Sequence, residues 1–125
     1  MRHRAAILLV IVLAGLLALT AGCDSKKNPI EVGANLDQAK DVAAKAGLLS
    51  IQMGVQSYVA TNGAVPSDAS QTTLGSLVSP WPSNPFTKAL MAPGTGVGDY
   101  SYAATGTTGY KLTVKLSAGS VYSLP

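Results

Sequence analysis

Residues 36–63, with the sequence LDQAKDVAAKAGLLSIQMGVQSYVATNG, form the longest stretch of helical pattern in the chain. The stretch lacks proline, follows the helix-capping residue Asn35 and ends in Asn62-Gly63, a pair that tolerates the left-handed conformation of helix ends. Apolar residues recur along it at spacings of three and four, which places them on one helical face. They are Ala39, Val42, Ala46, Leu49 and Met53. We therefore predict one long helix from Leu36 that buries this stripe.

The polar residues in the first half of this helix lie off that stripe, and we expect them to face water. They are Asp37, Gln38, Lys40, Asp41 and Lys45. A second apolar stripe makes the later half of the helix apolar around most of its circumference. It comprises Leu48, Ile51, Val55, Tyr58 and Val59. Two interpretations stay open: a core helix with a wet outer face, or a helix that also pairs with partner helices.

The C-terminal part of the chain has the period-two alternation of β-strands. The alternation is clearest over Tyr110–Leu116, where apolar residues alternate with polar ones. Asp99–Ala103 and Val121–Leu124 predict two further strands, joined to the first by glycine-containing turns. An antiparallel meander of this kind needs a cover for its apolar face, and the end of the helix is long enough to provide one. The predicted fold is α+β, one long N-terminal helix packed on a small antiparallel sheet.

The segment between helix and sheet, Ala64–Val97, is rich in Pro, Gly, Ser and Thr. A short helical turn that buries Leu74, Leu77 and Val78 is predicted at Thr72–Val78, and the prolines that follow forbid regular structure. Trp81 and Phe86 lie among those prolines. Aromatic residues in a polar loop usually pin the loop to the core, and the alternative is a stacking platform for a sugar or a peptide. Tyr100, on the first strand, is the third candidate for such a partner or ligand surface.

The first residues have the pattern of a secretion signal. Two arginines precede the apolar run Ala5–Leu19, which is short for a membrane span. The run leads into LTAGC at positions 19–23, which resembles a bacterial lipobox with Thr20 where that pattern usually has Leu. The resemblance implies removal of residues 1–22, attachment of diacylglycerol to the Cys23 sulfur, and acylation of the new amine, for example with palmitate.

An acylated Cys23 predicts both the location and the domain organisation of the chain. We expect a lipid anchor at Cys23, a tether over residues 23–35 and a globular domain over residues 36–125, held at a bacterial cell membrane and facing the periplasm or the exterior. From Cys23 onward, seven lysines against six acids leave a net charge of +1. Because no arginine remains and Lys26-Lys27 is the longest basic run, nucleic acid is not an expected partner.

The residue types that carry most enzyme chemistry are missing after residue 22. That part of the chain has no His and no Arg, and acylation would consume its thiol. Its carboxylates are scattered along the sequence. We therefore expect no catalytic residue, no metal site and no cofactor.

Four short motifs, in their order along the chain, resemble the type IV pilins and the pseudopilins of type II secretion. The motifs are Tyr58-x3-Asn62-Gly63-x2-Pro66, Trp81-x2-Asn84-Pro85-Phe86-Thr87, Gly98-Asp99-Tyr100-Ser101-Tyr102 and Gly109-Tyr110-Lys111-Leu112. The resemblance covers Leu36–Leu124 and is greatest to the major, G-type pseudopilin. It implies a pilin-like head, and it implies components of secretion or pilus systems as partners.

The chain departs from the pilin pattern at its start. It has no Gly–Phe cleavage site and no acid before Asp24, so the lipid anchor takes the place of the apolar N-terminal half of a pilin helix. Because that half packs the filament, we expect the chain not to polymerise as pilins do. The calcium ligands of G-type pseudopilins are acids near the C-terminus, and they are not carried over because no acid follows Asp99.

Two functions are consistent with these patterns. The first is a non-catalytic, membrane-anchored lipoprotein with a pseudopilin-like head, an accessory or relative of type II secretion or type IV pilus systems. The alternative is a surface-anchored binding module that recognises peptide, glycan or wall polymer through the Trp81–Val97 loop.

Overall fold

The computed structural model describes residues 29–125, with side chains from Gly33 onward. The predicted signal peptide at 1–22, the predicted lipid site Cys23 and residues 24–28 lie outside the described residues. Helix α1 spans Pro29–Asn62, so it begins earlier than Leu36 and takes in the second part of the expected tether. Proline is tolerated in the first helical turn because the N–H it lacks has no partner there. Gly33 costs the helix only about 1 kcal/mol.

Helix α1 ends where the sequence predicts. Gly63 adopts a positive φ of 74°, and its N–H donates to the Val59 carbonyl at 2.8 Å. The Asn62 side-chain amide donates to the Tyr58 carbonyl at 2.9 Å. These bonds satisfy carbonyls of the last turn that have no partner within the helix.

One face of α1 packs on the rest of the domain, and it is the second predicted stripe. Leu48, Ile51 and Val55 have no exposed surface, which confirms that part of the prediction. The first stripe is different, because 61% of Val42, 49% of Leu49 and 62% of Met53 are exposed. The prediction that this stripe is buried was wrong. The sheet covers one side of the helix only, and the second stripe occupies that side.

The sheet is a three-stranded antiparallel meander, which confirms the predicted order. Its strands are β1 (Tyr100–Thr105), β2 (Gly109–Lys115) and β3 (Val121–Leu124). Strand β2 lies in the centre, with Tyr102 paired to Leu112 on one side and Val114 to Tyr122 on the other. The alternation of β2 turns its apolar residues toward α1, so the fold is α+β.

The segment between α1 and the sheet contains one short helix, α2 (Gln71–Leu74). The Ser70 hydroxyl accepts a hydrogen bond from the Thr73 N–H and caps its start. Leu74 and Val78 enter the core as predicted, whereas 42% of Leu77 is exposed. Residues 79–98 then run as loops, held by backbone bonds such as that from the Met91 N–H to the Pro82 carbonyl at 2.9 Å.

Among the described residues, no helix combines the length and the apolar character needed to cross a membrane.

Candidate functional site

Trp81 anchors the loop that follows it to the core. Only 7% of the residue is exposed, and its indole N–H donates to the Met91 carbonyl at 2.8 Å. A buried indole needs such a partner for its N–H. Met91 and Pro82 in turn lie against Gly47 of α1, where a Cβ would approach the Met91 sulfur within 2.5 Å. The ring therefore holds loop and helix together, and the small part of the residue that stays exposed lines the groove described below.

Tyr100 is also part of the core. The residue has no exposed surface, and its hydroxyl donates to the Ala69 carbonyl at 2.7 Å. Burial, together with the charge of Asp68, raises the pKa of Tyr100 to about 12. Trp81 and Tyr100 are therefore both largely buried, and a ligand surface that includes them stays a prediction.

Phe86, the third of these residues, is half-buried beside α1. The Lys40 ammonium lies 5.6 Å from the centre of its ring, a distance at which a cation is attracted to an aromatic face. This contact joins the loop to the helix, and a partner surface at Phe86 stays a prediction.

Asn84 organises the loop around Phe86, a role that sequence reasoning missed. It is 1% exposed. Its Oδ1 accepts from the N–H groups of Phe86 and Thr87, and its Nδ2 donates to the Val97 carbonyl and to Asp99 Oδ1. The sequence signal was the Asn-Pro pair, because asparagine readily bonds backbone two residues ahead of it.

Asp37 and Gln38 are exposed, as predicted, whereas Lys40, Asp41 and Lys45 contact the rest of the domain, contrary to the prediction that they face water. Asp41 accepts from the N–H and the hydroxyl of Ser117, at 2.8 and 2.9 Å. The Lys45 ammonium lies 5.2 Å from the centre of the Tyr122 ring. Lysine can cover apolar surface with its methylene stem while its charged end stays wet, so a charged residue does not by itself mark the outer face.

The opposite side of α1 carries an exposed apolar row, which we name the α1 seam. Its members follow one another at alternating spacings of three and four from residue 39 to residue 60. They are Ala39, Val42, Ala46, Leu49, Met53, Gln56 and Ala60. Val42, Leu49 and Met53 are its large apolar residues, and each is about half or more exposed.

A groove of about 610 Å³ runs beside the α1 seam. Residues 77–83 form one wall, with Leu77 and Pro80, and α1 forms the other, with Ala46 and Met53. The groove contains no titratable side chain. It can therefore accept apolar side chains, and it offers no general acid, general base or metal ligand.

The described residues offer no alternative site for metal chemistry. Residues 29–125 include neither His nor Cys, and no group of three potential metal ligands occurs in the part of the chain that the structure describes. Asp68 forms its hydrogen bonds within its own loop, because its Oδ1 accepts from the Ser70 N–H and the Thr73 hydroxyl. These bonds lower the pKa of Asp68 to about 2. It stabilises the start of α2.

Comparison of the chain with protein-family models, with curated proteins and with solved structures gives no match.

Proposed function

We propose that this protein is a non-catalytic, lipid-anchored protein of a bacterial cell membrane. It carries a pseudopilin-like head and acts as an accessory to, or is a relative of, type II secretion or type IV pilus systems. Cys23 carries the acyl chains, and the head faces the periplasm or the exterior.

The observation that carries this proposal is the arrangement of one long helix on a small antiparallel sheet. The side chains of residues 33–39 are all exposed, so the helix extends beyond the part that packs on the sheet. An exposed extension of this kind suits a domain whose chain leads back to a membrane anchor.

The positions of the resembling motifs give further support. Asn62-Gly63 forms the end of α1, Asn84 organises the central loop, and Tyr100 begins the sheet in the core. Three of the four motifs therefore lie where one element of the fold meets the next. Residues at joints are those that a shared architecture constrains most strongly, because they have specific backbone or hydrogen-bonding roles.

Acylation would supply the affinity for the membrane. Each buried methylene contributes about 0.8 kcal/mol, and two acyl chains give stable attachment where one chain is marginal. The burial of Trp81 and Tyr100 favours this proposal over a binding module in which those two rings are exposed stacking platforms.

Deletion of the gene tests the proposed role in its own bacterium. We expect reduced release of proteins exported by type II secretion, or fewer pili, and restoration by the wild-type gene. The Cys23→Ser variant should restore neither protein release nor pili, because it has no anchor. Unchanged secretion and unchanged pili in the deletion strain would refute the role.

A further inference from the structure

The α1 seam has the spacing of a coiled-coil interface. Alternating steps of three and four from Ala39 to Ala60 reproduce the a and d positions of a heptad repeat over about three heptads. Ala39, Ala46, Met53 and Ala60 are the a positions, and Val42, Leu49 and Gln56 are the d positions. Within the described residues no part of the domain covers this row, since Val42 and Met53 are more than 60% exposed.

The charges of α1 leave the seam neutral. Asp37, Lys40, Asp41 and Lys45 all lie off the seam positions, and the last three contact Phe86, Ser117 and Tyr122 of the same domain. A row of like charges along the seam would repel the same row on a second copy. A neutral apolar seam meets no such repulsion, so a second copy of this chain fits it.

The sizes of the seam residues distinguish two orientations of that second copy. In a parallel pair each residue faces the same residue of the second copy. Layers of small side chains, at Ala39 and Ala46, then alternate with layers of larger side chains, at Val42 and Leu49. In an antiparallel pair a positions face d positions. Ala46 then faces Leu49 of the second copy, and Val42 faces Met53. The antiparallel layers are more even in volume, which close packing favours.

We infer that two copies of this chain pair antiparallel through their α1 seams, about a two-fold axis between Ala46 and Leu49. Leu77, which lines the groove beside Met53 and is 42% exposed, extends the apolar surface available to the second helix. The axis is perpendicular to the helices, so when it is also the normal of a membrane the two Gly33 positions lie at the same height above that membrane, and anchors on both copies can reach it.

The seam is short, and the pair is accordingly weak in solution. Residues 39–60 span about 32 Å at 1.5 Å per residue, and one helix-wide contact of that length is smaller than the roughly 800 Å² per partner of a standard interface. Attachment to one membrane would raise the effective concentration of the two copies. The pairing itself rests on the seam and does not require the proposed function.

A charge-swap experiment tests both the pairing and its orientation. The full-length chain, in density-matched non-ionic detergent, is examined by sedimentation equilibrium over a range of concentrations. Val42→Glu and Met53→Lys each place a charge in an apolar layer, so each should weaken dimerisation at least tenfold. Combined in one chain, they place opposite charges face to face in the antiparallel pair, and dimerisation should recover. In a parallel pair the same combination would bring like charges together.

Val121→Glu is the matched control. Val121 is 61% exposed and lies on β3, away from the seam, so this variant should dimerise as the wild type does. Circular dichroism should show native structure for every variant, because the substituted side chains are mostly exposed. A monomeric wild type, single variants that remain dimeric, or a double variant that stays monomeric would each overturn the inference. A wild type that forms larger, open-ended assemblies would overturn it too.

Discussion

Asn84 is a buried polar residue whose partners are all in its own loop. Its side chain makes four hydrogen bonds, to Phe86, Thr87, Val97 and Asp99. Gly98, with a positive φ of 80°, comes so close that a Cβ there would overlap the Asn84 amide. A tight loop of this kind has few backbone partners of its own, so one side chain supplies them.

Replacing Asn84 by alanine should therefore destabilise the domain. The Asn84→Ala variant leaves two N–H groups and a carbonyl without their partner in a buried site, and we expect the free energy of unfolding to fall by about 2–3 kcal/mol. Urea denaturation measures this loss. Ser83→Ala, next to it and exposed, serves as the control and should change stability by less than about 0.5 kcal/mol. Equal stability of the two variants would refute the role of Asn84.

We expect Asp68 to make the stability of the domain depend on pH in the acidic range. Hydrogen bonds from Ser70 and Thr73 lower the pKa of Asp68 from 3.8 to about 2. A carboxyl group with a lowered pKa in the folded state binds fewer protons there than in the unfolded chain. Its stabilising effect is therefore complete above pH 4 and is lost as the pH falls toward 2.

The Asp68→Asn variant should lose that dependence. Asparagine keeps a side-chain oxygen for the Ser70 N–H and does not titrate. Thermal midpoints measured between pH 4 and pH 2 should fall less steeply for the variant than for the wild type. Equal slopes would show that Asp68 titrates alike in the folded and unfolded chains.

At the scale of elements, the strands followed from sequence more directly than the packing of the helix. The alternation of Tyr110–Leu116 predicts β2 and its buried face, because a strand has only two faces and one of them is apolar. Helix α1 has two apolar stripes at helical spacing, and spacing alone does not say which of them the sheet covers. Lys40 and Lys45 added to the error, since their ammonium groups lie over aromatic rings on the packed side.

The start of α1 and the candidate site were harder to predict for related reasons. Pro29 and Gly33 are residue types that usually interrupt helices. Pro29 is tolerated because it begins the helix, and Gly33 lies where no other atom is within 4 Å of a Cβ. Trp81 was predicted as either core or ligand surface and Tyr100 as ligand surface, and their burial depends on the long-range partners Met91 and Ala69.

Two glycines of α1 provide a matched test of its packing. At Gly54 a Cβ would lie 2.3 Å from a Val78 methyl group, whereas at Gly33 no atom lies within 4 Å. Gly54→Ala should destabilise the domain by about 1–3 kcal/mol through overpacking. Gly33→Ala should raise stability, by up to about 1 kcal/mol, because alanine favours the helix and nothing obstructs it. Thermal denaturation of both variants measures the difference, and a stabilised Gly54→Ala would contradict the packing of α1 on α2 and Val78.

In the whole molecule, we propose that the two faces of α1 have different roles. The buried face holds the sheet and the central loop, through Leu48, Ile51 and Val55. The α1 seam stays free for a second copy. The anchored end of the chain is proposed to keep both copies at one membrane, which is where a weak helix pair becomes populated.

The mass of the N-terminal peptide tests whether Cys23 carries a lipid anchor. The protein is isolated from membranes of its own bacterium, digested with protease and compared with the Cys23→Ser variant. We predict that the wild-type peptide begins at Cys23 and carries the mass of diacylglycerol, with or without a further acyl chain, while the variant keeps residues 1–22 and carries no lipid. A wild-type peptide with an unmodified Cys23 and the apolar segment Ala5–Leu19 still attached would show that Cys23 is not a lipid anchor.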